Sequence, residues 1–234
     1  MEIEYSTAKN KYGFYCVPKS SSHRGGAKTI LEGKVWEPDT VEFVLRNISG
    51  DIIHAGTYFG DMLPAFSSVA SHVWAFEPLP ENFYCANKTI EWNCLKNVTL
   101  HNRGLSNKSG EVTFVIEKNN KSLGGGCHIL QNGMKSVGKT MTIKTEKIDD
   151  MVPDDRNVSI IQLDVEGNEF AALKGAEKTI DRCNPILIIE KWKRRPMELE
   201  FKSWLKSKDY KFVQNLHGDI NDVWVKNEFD IRTK

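Results

Sequence analysis

A chain of 234 residues is long for one small domain and short for two, so its length predicts one core with a lead-in segment. Hydrophobic residues at 40 % and charged residues at 27 % are ordinary for a soluble globular protein. Lys+Arg 32 against Asp+Glu 31 leaves a net charge of +1, which removes the simplest electrostatic case for a nucleic-acid or membrane-surface partner.

No run approaches the roughly 18 consecutive apolar residues of a membrane span. The first ten residues are too polar for a secretory signal, so a cytoplasmic location is expected. Cys16, Cys85, Cys94, Cys127 and Cys183 are odd in number and contain no C-x-x-C pair. That pattern argues against a disulfide framework and against a zinc site, and no metal site is expected.

Residues 1–50 read as a lead-in that packs on the core, and residues 51–234 as the main domain. SSSHRGG (Ser20 to Gly26) looks like a mobile loop. Glu37 to Ile48 offers Val41, Val44, Leu45 and Ile48 at helical spacing behind Pro38 and Asp39. From Asp51 a regular alternation begins: the strand DIIHA, a helix from about Gly60, the strand VWAFE (Val73 to Glu77), a helix over Glu81 to Asn93, and a strand over Asn97 to Asn102. Gly110 to Glu117 and Lys139 to Ile148 have strand-like alternation and flank a glycine-rich segment, Asn119 to Gly138, which reads as a long mobile loop. The alternation resumes with a strand over Val158 to Asp164, one helix over Glu169 to Cys183, a strand over Pro185 to Glu190 and a helix over about Met197 to Ser207. YKFVQ and DVWVK close the chain, and NLHGDIN between them is too short for a crossover helix, so they should pair antiparallel. Strands alternating with helices predict an α/β fold with a mainly parallel sheet covered on both faces.

In such a sheet, ligands sit beyond the C-terminal strand ends. Gly56 and Gly60 follow the first strand and would let the backbone approach a ligand closely, although a turn of this kind also serves as a plain tight connection. Glu77 ends the neighbouring strand, where an acid grips the ribose hydroxyls of a nucleotide; capping of the strand by Glu77 and Pro78 is the bland alternative. The pyrophosphate fingerprint G-x-G-x-x-G is absent, which favours a nucleoside ligand without a diphosphate. Asp164 and Glu166 end a buried strand, Gly167 breaks it, and Asn168 is placed to cap the next helix. Carboxylates at the mouth of an apolar strand are costly unless something needs them, while Glu166 and Glu169 also suit a helix N-terminus. Glu190 adds another acid at the same sheet edge.

HAGTYFG, VWAFEPLPENF, LDVEGNEFAALKGA and PILIIE resemble the FkbM family of S-adenosylmethionine-dependent methyltransferases. The resemblance runs in order from about Gly33 to Glu190, and EGNEFAALKGA is its most specific part. It implies a class I methyltransferase (Rossmann-like) fold, a seven-stranded, mostly parallel sheet with an antiparallel last strand and helices on both faces. It also implies that His54, Ala55, Gly56, Thr57 and Gly60 cradle the methionine part of the donor, that Glu77 and Pro78 hold the ribose, that Asn102, Gly104 and Leu105 lie near adenine, and that Asp164 sits by the cationic donor centre. His54, Thr57 and Tyr58 stand where the family usually has Asp, Ala and Asn, which weakens the expected hold on the donor's ammonium group.

The resemblance implies O-methylation of a sugar, glycan or polyketide-type hydroxyl, while the charge balance and the short apolar runs lead to the expectation of no nucleic acid or membrane partner. In-line alignment of acceptor oxygen, methyl carbon and sulfur supplies roughly 7 to 11 kcal/mol, and a base takes the hydroxyl proton. Glu166, Glu190 and Asp164 are the candidate bases. Trp36, Glu37, Tyr58 and His128 are candidate acceptor contacts, with a hydrophobic staple as the alternative for Trp36. A hard cation gathered by Asp164, Glu166 and Glu190 is a variant of the mechanism. A nicotinamide-dependent oxidoreductase and a donor-binding scaffold without catalysis are the rival readings.

Overall fold

The computed structural model describes residues 3–130, 138–191 and 198–227. β1 (Tyr5–Lys9) and β2 (Phe14–Pro18) form an antiparallel hairpin ahead of α1 (Gly25–Leu31) and α2 (Pro38–Asn47). Then β3 (Asp51–Ala55), α3 (Leu63–Ser67), β4 (Val73–Phe76), α4 (Pro80–Trp92) and β5 (Val98–His101) alternate. An insertion follows, made of β6 (Gly104–Leu105), β7 (Gly110–Val115), β8 (Glu117–Lys118), β9 (Lys121–Ser122), β10 (His128–Ile129) and β11 (Thr140–Glu146). The chain continues through α5 (Ile148–Met151), β12 (Val158–Leu163), α6 (Glu169–Lys174), α7 (Glu177–Cys183), β13 (Ile186–Glu190), α8 (Glu198–Ser207), β14 (Tyr210–Leu216) and β15 (Asn221–Lys226).

The main sheet has seven strands in the order β14-β15-β13-β12-β3-β4-β5. β5, β4, β3, β12 and β13 run parallel, and β15 lies antiparallel to both β13 and β14. The two-residue side-chain period divides the strands between two cores. Ile53, Ile161, Leu163, Leu187 and Ile189 pack with Ile148, Ile180 and Phe201 of α5, α7 and α8. Ile52, Ile160, Ile186, Ile188 and Val223 pack on the other face with Val41, Val44, Leu63 and Phe66 of α2 and α3. Residues buried on both faces explain why these strands read as continuous apolar runs. A four-stranded sheet, β10-β7-β11-β6, stands beside the end of β5 and overhangs the C-terminal edge of the main sheet.

Several elements differ from the sequence reading. Ser20 to Gly26 is not a free loop: Ser21 is buried, its hydroxyl accepts a hydrogen bond from Tyr58 Oη at 2.6 Å, and α1 begins at Gly25. The lead-in is a wall of the core, because Tyr15, Cys16, Val17, Ala27 and Ile30 cluster with Tyr58, Phe59 and Cys85. The helix after β3 starts only at Leu63, since Gly60 takes a left-handed turn (φ 83°) first. The single helix expected over Glu169 to Cys183 breaks at Gly175, whose carbonyl accepts the amide of Asp149. The carboxylate of Asp149 then accepts the amides of Lys178 and Thr179, at 2.9 Å each, and caps α7. In the segment read as a loop, Lys121–Ser122 and His128–Ile129 are strands; residues 131–137 lie outside the described residues, as does Met197.

Ile161 is fully buried in the central strand β12. Ile161→Ala is expected to lower the unfolding free energy by ~2–5 kcal/mol, read as a reduced urea midpoint with an unchanged slope.

Candidate functional site

The exits of β3, β4 and β12 are tied together. Gly56 adopts φ 80°, and a Cβ there would lie 1.8 Å from the carbonyl oxygen of Asp164. The amides of Gly56 and Thr57 both donate to the carbonyl of Phe76 at 3.2 Å, and the amide of Asp164 donates to that of Ala55 at 3.0 Å. Backbone contact this close is open only to glycine.

Glu77, 4 % exposed, leaves β4 beneath this turn. Its Oε2 accepts the amide of Tyr58 at 2.8 Å, and its Oε1 accepts the amide of Leu79 at 2.9 Å and Asn82 Nδ2 at 3.4 Å. One oxygen therefore keeps a lone pair for a further donor. Asn102 Nδ2 donates to the carbonyls of Glu77 and Pro78, Thr57 Oγ1 donates to the carbonyl of His54, and the amide of Gly60 donates to that of Thr57. Thr57, Gly60 and Asn102 thus shape the turns around the site and do not line it.

Two connected chambers open over these strand ends. The first is largely apolar and is lined by Ala55, Gly56, Phe76, Glu77, Pro78, Leu79, Gly104, Leu105, Phe114, Ile129, Asp164 and Asn168. The second, the more polar of the two, is lined by Arg24, Trp36, Glu37, His54, Tyr58, Asp61, Gln162, Asp164, Glu166 and Glu190. Gly56, Gly125, Asp164 and Glu166 belong to both. The Gly124–Gly126 turn of the insertion covers the junction; Gly124 (φ 56°) sits so near that a Cβ would approach Ser21, Tyr58 Oη and Arg24 within 3.0 Å.

Burial dominates the electrostatics. It pushes the carboxyls of Glu77 and Asp61 up to about 7, with Glu37 adding to the shift at Asp61. Asp164 is raised well above the usual carboxylate value by burial and by Glu190, to which it is hydrogen-bonded, and Glu190 is pushed to about 7 mainly by burial. Glu37 is raised as well, again by burial first, although Asn221 Nδ2 donates to its Oε2 at 2.6 Å. The imidazole of His54 is pushed down to about 4 by burial and is neutral at ordinary pH. Backbone strain collects here too: Glu37 (φ 44°), Tyr58 (φ 52°) and Glu166 (φ 52°) are left-handed non-glycine residues, and all three line the polar chamber.

Of the residues singled out in the sequence, Ala55, Gly56, Glu77, Pro78, Gly104, Leu105 and Asp164 line the apolar chamber, while Trp36, Glu37, His54, Tyr58, Glu166 and Glu190 line the polar one. His128 lines neither. Strand alternation turns its neighbours Cys127 and Ile129 towards the apolar chamber and His128 away. Asn168 precedes α6 without a side-chain cap bond; its Nδ2 donates to the carbonyl of Leu105, and the amides of Val165 and Gly167 are accepted by Glu169 Oε1 instead. Sequence reasoning missed Arg24, Asp61, Gln162 and Phe114. Gln162 carried a signal, standing two residues before Asp164 on the same strand face.

Among known proteins, the family described as Methyltransferase FkbM domain matches residues 54–212. Hexuronic acid methyltransferase AglP of Haloferax volcanii is 26 % identical over 158 residues, which cover 65 % of this chain and 61 % of that protein. The matched part is therefore less than two thirds of the relative. Methyltransferase FkbM from Methylobacillus flagellatus KT superposes with a TM-score of 0.55 at 19 % identity, covering 76 % of this chain and 44 % of that one. No helix among the described residues is long and apolar enough to cross a membrane.

The approach of Gly56 to Asp164 generates a prediction. Gly56→Ala is expected to lower the unfolding free energy by about 2 kcal/mol or more, because the strand exits must separate. An unchanged thermal midpoint would show that the two turns are not in contact.

Proposed function

The chain belongs to the FkbM methyltransferase family, and from that membership we propose that it transfers the methyl group of S-adenosylmethionine to a hydroxyl of a sugar or glycan. The observation that carries this reading is the junction of the two chambers: an apolar cleft with an acid at its floor meets an acid-rich chamber at Gly56, Asp164 and Glu166. A nucleoside part suits the first chamber and a polyhydroxylated acceptor the second. The relative whose name states a hexuronic acid as substrate supports a sugar acceptor. The sheet order, with β15 reversed between β13 and β14, supports the class I methyltransferase arrangement over a dinucleotide fold. A dinucleotide also needs a helix N-terminus directly at the strand exit to meet its pyrophosphate, and here the Gly60 turn intervenes before α3.

The fit of the donor is tested by the chain itself. Gly56 presents bare backbone to the cleft, its Cβ position being taken by the carbonyl oxygen of Asp164, and Glu77, which lines the apolar cleft, retains an acceptor lone pair. When bound, S-adenosylmethionine supplies an electrophilic methyl group on a sulfonium centre. Glu77 accepts the ribose hydroxyls, while Phe76, Leu79, Leu105 and Phe114 enclose the base and exclude water. Asp164 faces the cationic part of the donor, where a carboxylate lowers the energy of positive charge. Glu166 spans the junction on its strained backbone and takes the proton of the acceptor hydroxyl, with Asp164 and Glu190 as its neighbours. Trp36, Glu37, Tyr58 and Arg24 form the walls against which the acceptor is oriented.

Two measurements test these roles. Glu166→Gln is expected to slow methyl transfer to a panel of hexuronic and neutral hexose glycosides by about 10²- to 10⁴-fold, with S-adenosylhomocysteine affinity within about threefold. Equal turnover would remove Glu166 as the base. The second is a pH profile of product binding. In the unliganded protein Glu77 is protonated below about 7, and the protonated carboxyl is the poorer acceptor for a ribose diol. Affinity for S-adenosylhomocysteine is expected to rise as pH increases through 7, and Glu77→Gln to flatten that rise and weaken binding at pH 8 by about tenfold. Stability of the unliganded protein runs the opposite way. Between the ordinary value of 4.5 and about 7 the folded state holds a proton that the unfolded chain has released, so unfolding free energy falls as pH rises across that window.

A further inference from the structure

The carboxylates of Asp164, Glu166 and Glu190 each offer an oxygen, and the three oxygens lie within 4.8 Å of one another. They come from separate supports: the exit of β12, the left-handed residue beyond it, and the end of β13. Oxygen ligands so spaced match the coordination shell of a hard divalent cation, which holds them at about 2.0–2.6 Å. Among the described residues that line the polar chamber Arg24 is the only Lys or Arg, against Glu37, Asp61, Asp164, Glu166 and Glu190. The acids alone do not distinguish a metal from the positively charged donor.

His54 does. Its ring is 2 % exposed, and Nδ1 is hydrogen-bonded to Gln162 Oε1. A carbonyl oxygen only accepts, so Nδ1 carries the proton and Nε2 presents a bare lone pair. Nε2 is buried and has no hydrogen-bond partner among the described residues. The parallel pairing of β3, β12 and β13 sets His54 opposite Gln162 and Gln162 opposite Ile188. That row lies one pleat beneath Asp164 and Glu190 on the same sheet face, and the position above His54 is Gly56, with no side chain to cover the ring. A buried lone pair in want of an O–H donor thus belongs to a residue that lines the same chamber as the three carboxylates. A hydrated divalent ion satisfies both, binding the acids itself and donating from a water ligand to the imidazole.

We propose that Asp164, Glu166 and Glu190 bind one divalent cation, Mg²⁺ or Mn²⁺, through a carboxylate oxygen each, with a metal-bound water donating to His54 Nε2. The remaining coordination positions face the space between Trp36, Glu37 and Arg24. Vicinal oxygens of a sugar replace water there, which fixes the acceptor and makes a coordinated hydroxyl more acidic. This role in transfer rests on the methyltransferase reading; the binding of the ion does not.

The test is a titration of the full chain, stripped with EDTA, with MnCl₂, reading free Mn²⁺ by electron paramagnetic resonance, followed by displacement with Mg²⁺. One equivalent bound per chain is expected. Asp164→Asn and Glu190→Gln should each weaken binding by tenfold or more, and His54→Phe by about tenfold through loss of the water's acceptor. Asp181→Asn, at an exposed acid paired with Lys208, should leave binding unchanged. No bound Mn²⁺ in the wild-type chain at ~1 mM free metal overturns the proposal even if a variant fails to fold. Undiminished binding in both Asp164→Asn and Glu190→Gln overturns it equally. Calorimetry with S-adenosylhomocysteine on the same sample separates the two claims: product binding without Mn²⁺ binding removes the cation alone, and Mn²⁺ binding without product binding removes the transferase reading while the cation site stands.

Discussion

Gly56 and the carbonyl of Asp164 approach each other at a distance that no side chain would permit, and the rest of the site hangs from that contact. It brings the exits of β3 and β12 together at the middle of the sheet, where strands on either side diverge to their own turns. The same turn sends two amides to Phe76, which fixes where β4 releases Glu77, and Glu77 in return holds the amide of Tyr58. Tyr58 reaches Ser21 and so ties in the N-terminal hairpin and α1. A single close backbone contact therefore determines the apolar chamber on one side, the polar chamber on the other, and the passage between them.

The polar chamber is a concentration of unfavourable terms. Glu37, Asp61, Asp164, Glu166 and Glu190 converge where the sheet beneath is apolar, and burial raises the proton affinity of four of them, Glu37, Asp61, Asp164 and Glu190. Three non-glycine residues in left-handed conformations add strain of order 1–3 kcal/mol each. Such terms persist only because the surrounding structure over-determines them, and the two large cores on either face of the sheet supply that excess. A cluster with this much like charge is poised to gain from any positive partner, which is what a sulfonium donor or a divalent ion provides.

Much of the fold was legible because its signals are local. The β3, β12 and β13 strands each carry a pair of adjacent isoleucines, Ile52 with Ile53, Ile160 with Ile161 and Ile188 with Ile189, and the short NLHGDIN connection already required an antiparallel closing pair. What was not legible depends on distant partners. The break between α6 and α7 is enforced by Asp149, some 30 residues away, whose carboxylate supplies the new N-terminal cap. Ser20 to Gly26 has loop composition, but Gly25 and Gly26 enter a helix because the indole of Trp36 lies against them, where a Cβ would meet it at 3.4–3.5 Å. The strand-end acids and glycines stood out in the sequence for the reason that they are costly there. Arg24 and Asp61 did not, since charged residues in polar surroundings are unremarkable until the chain folds them inward.

His54 shows how a departure from the family pattern alters chemistry without altering fold. An acid at this strand end would add a further negative charge beside Asp164 and Glu190. The imidazole adds none, because burial holds it neutral, and it hydrogen-bonds sideways to Gln162 and packs edge-on against Phe66. The exchange reduces the repulsion that the chamber must withstand and replaces a charged acceptor with a neutral one of fixed orientation.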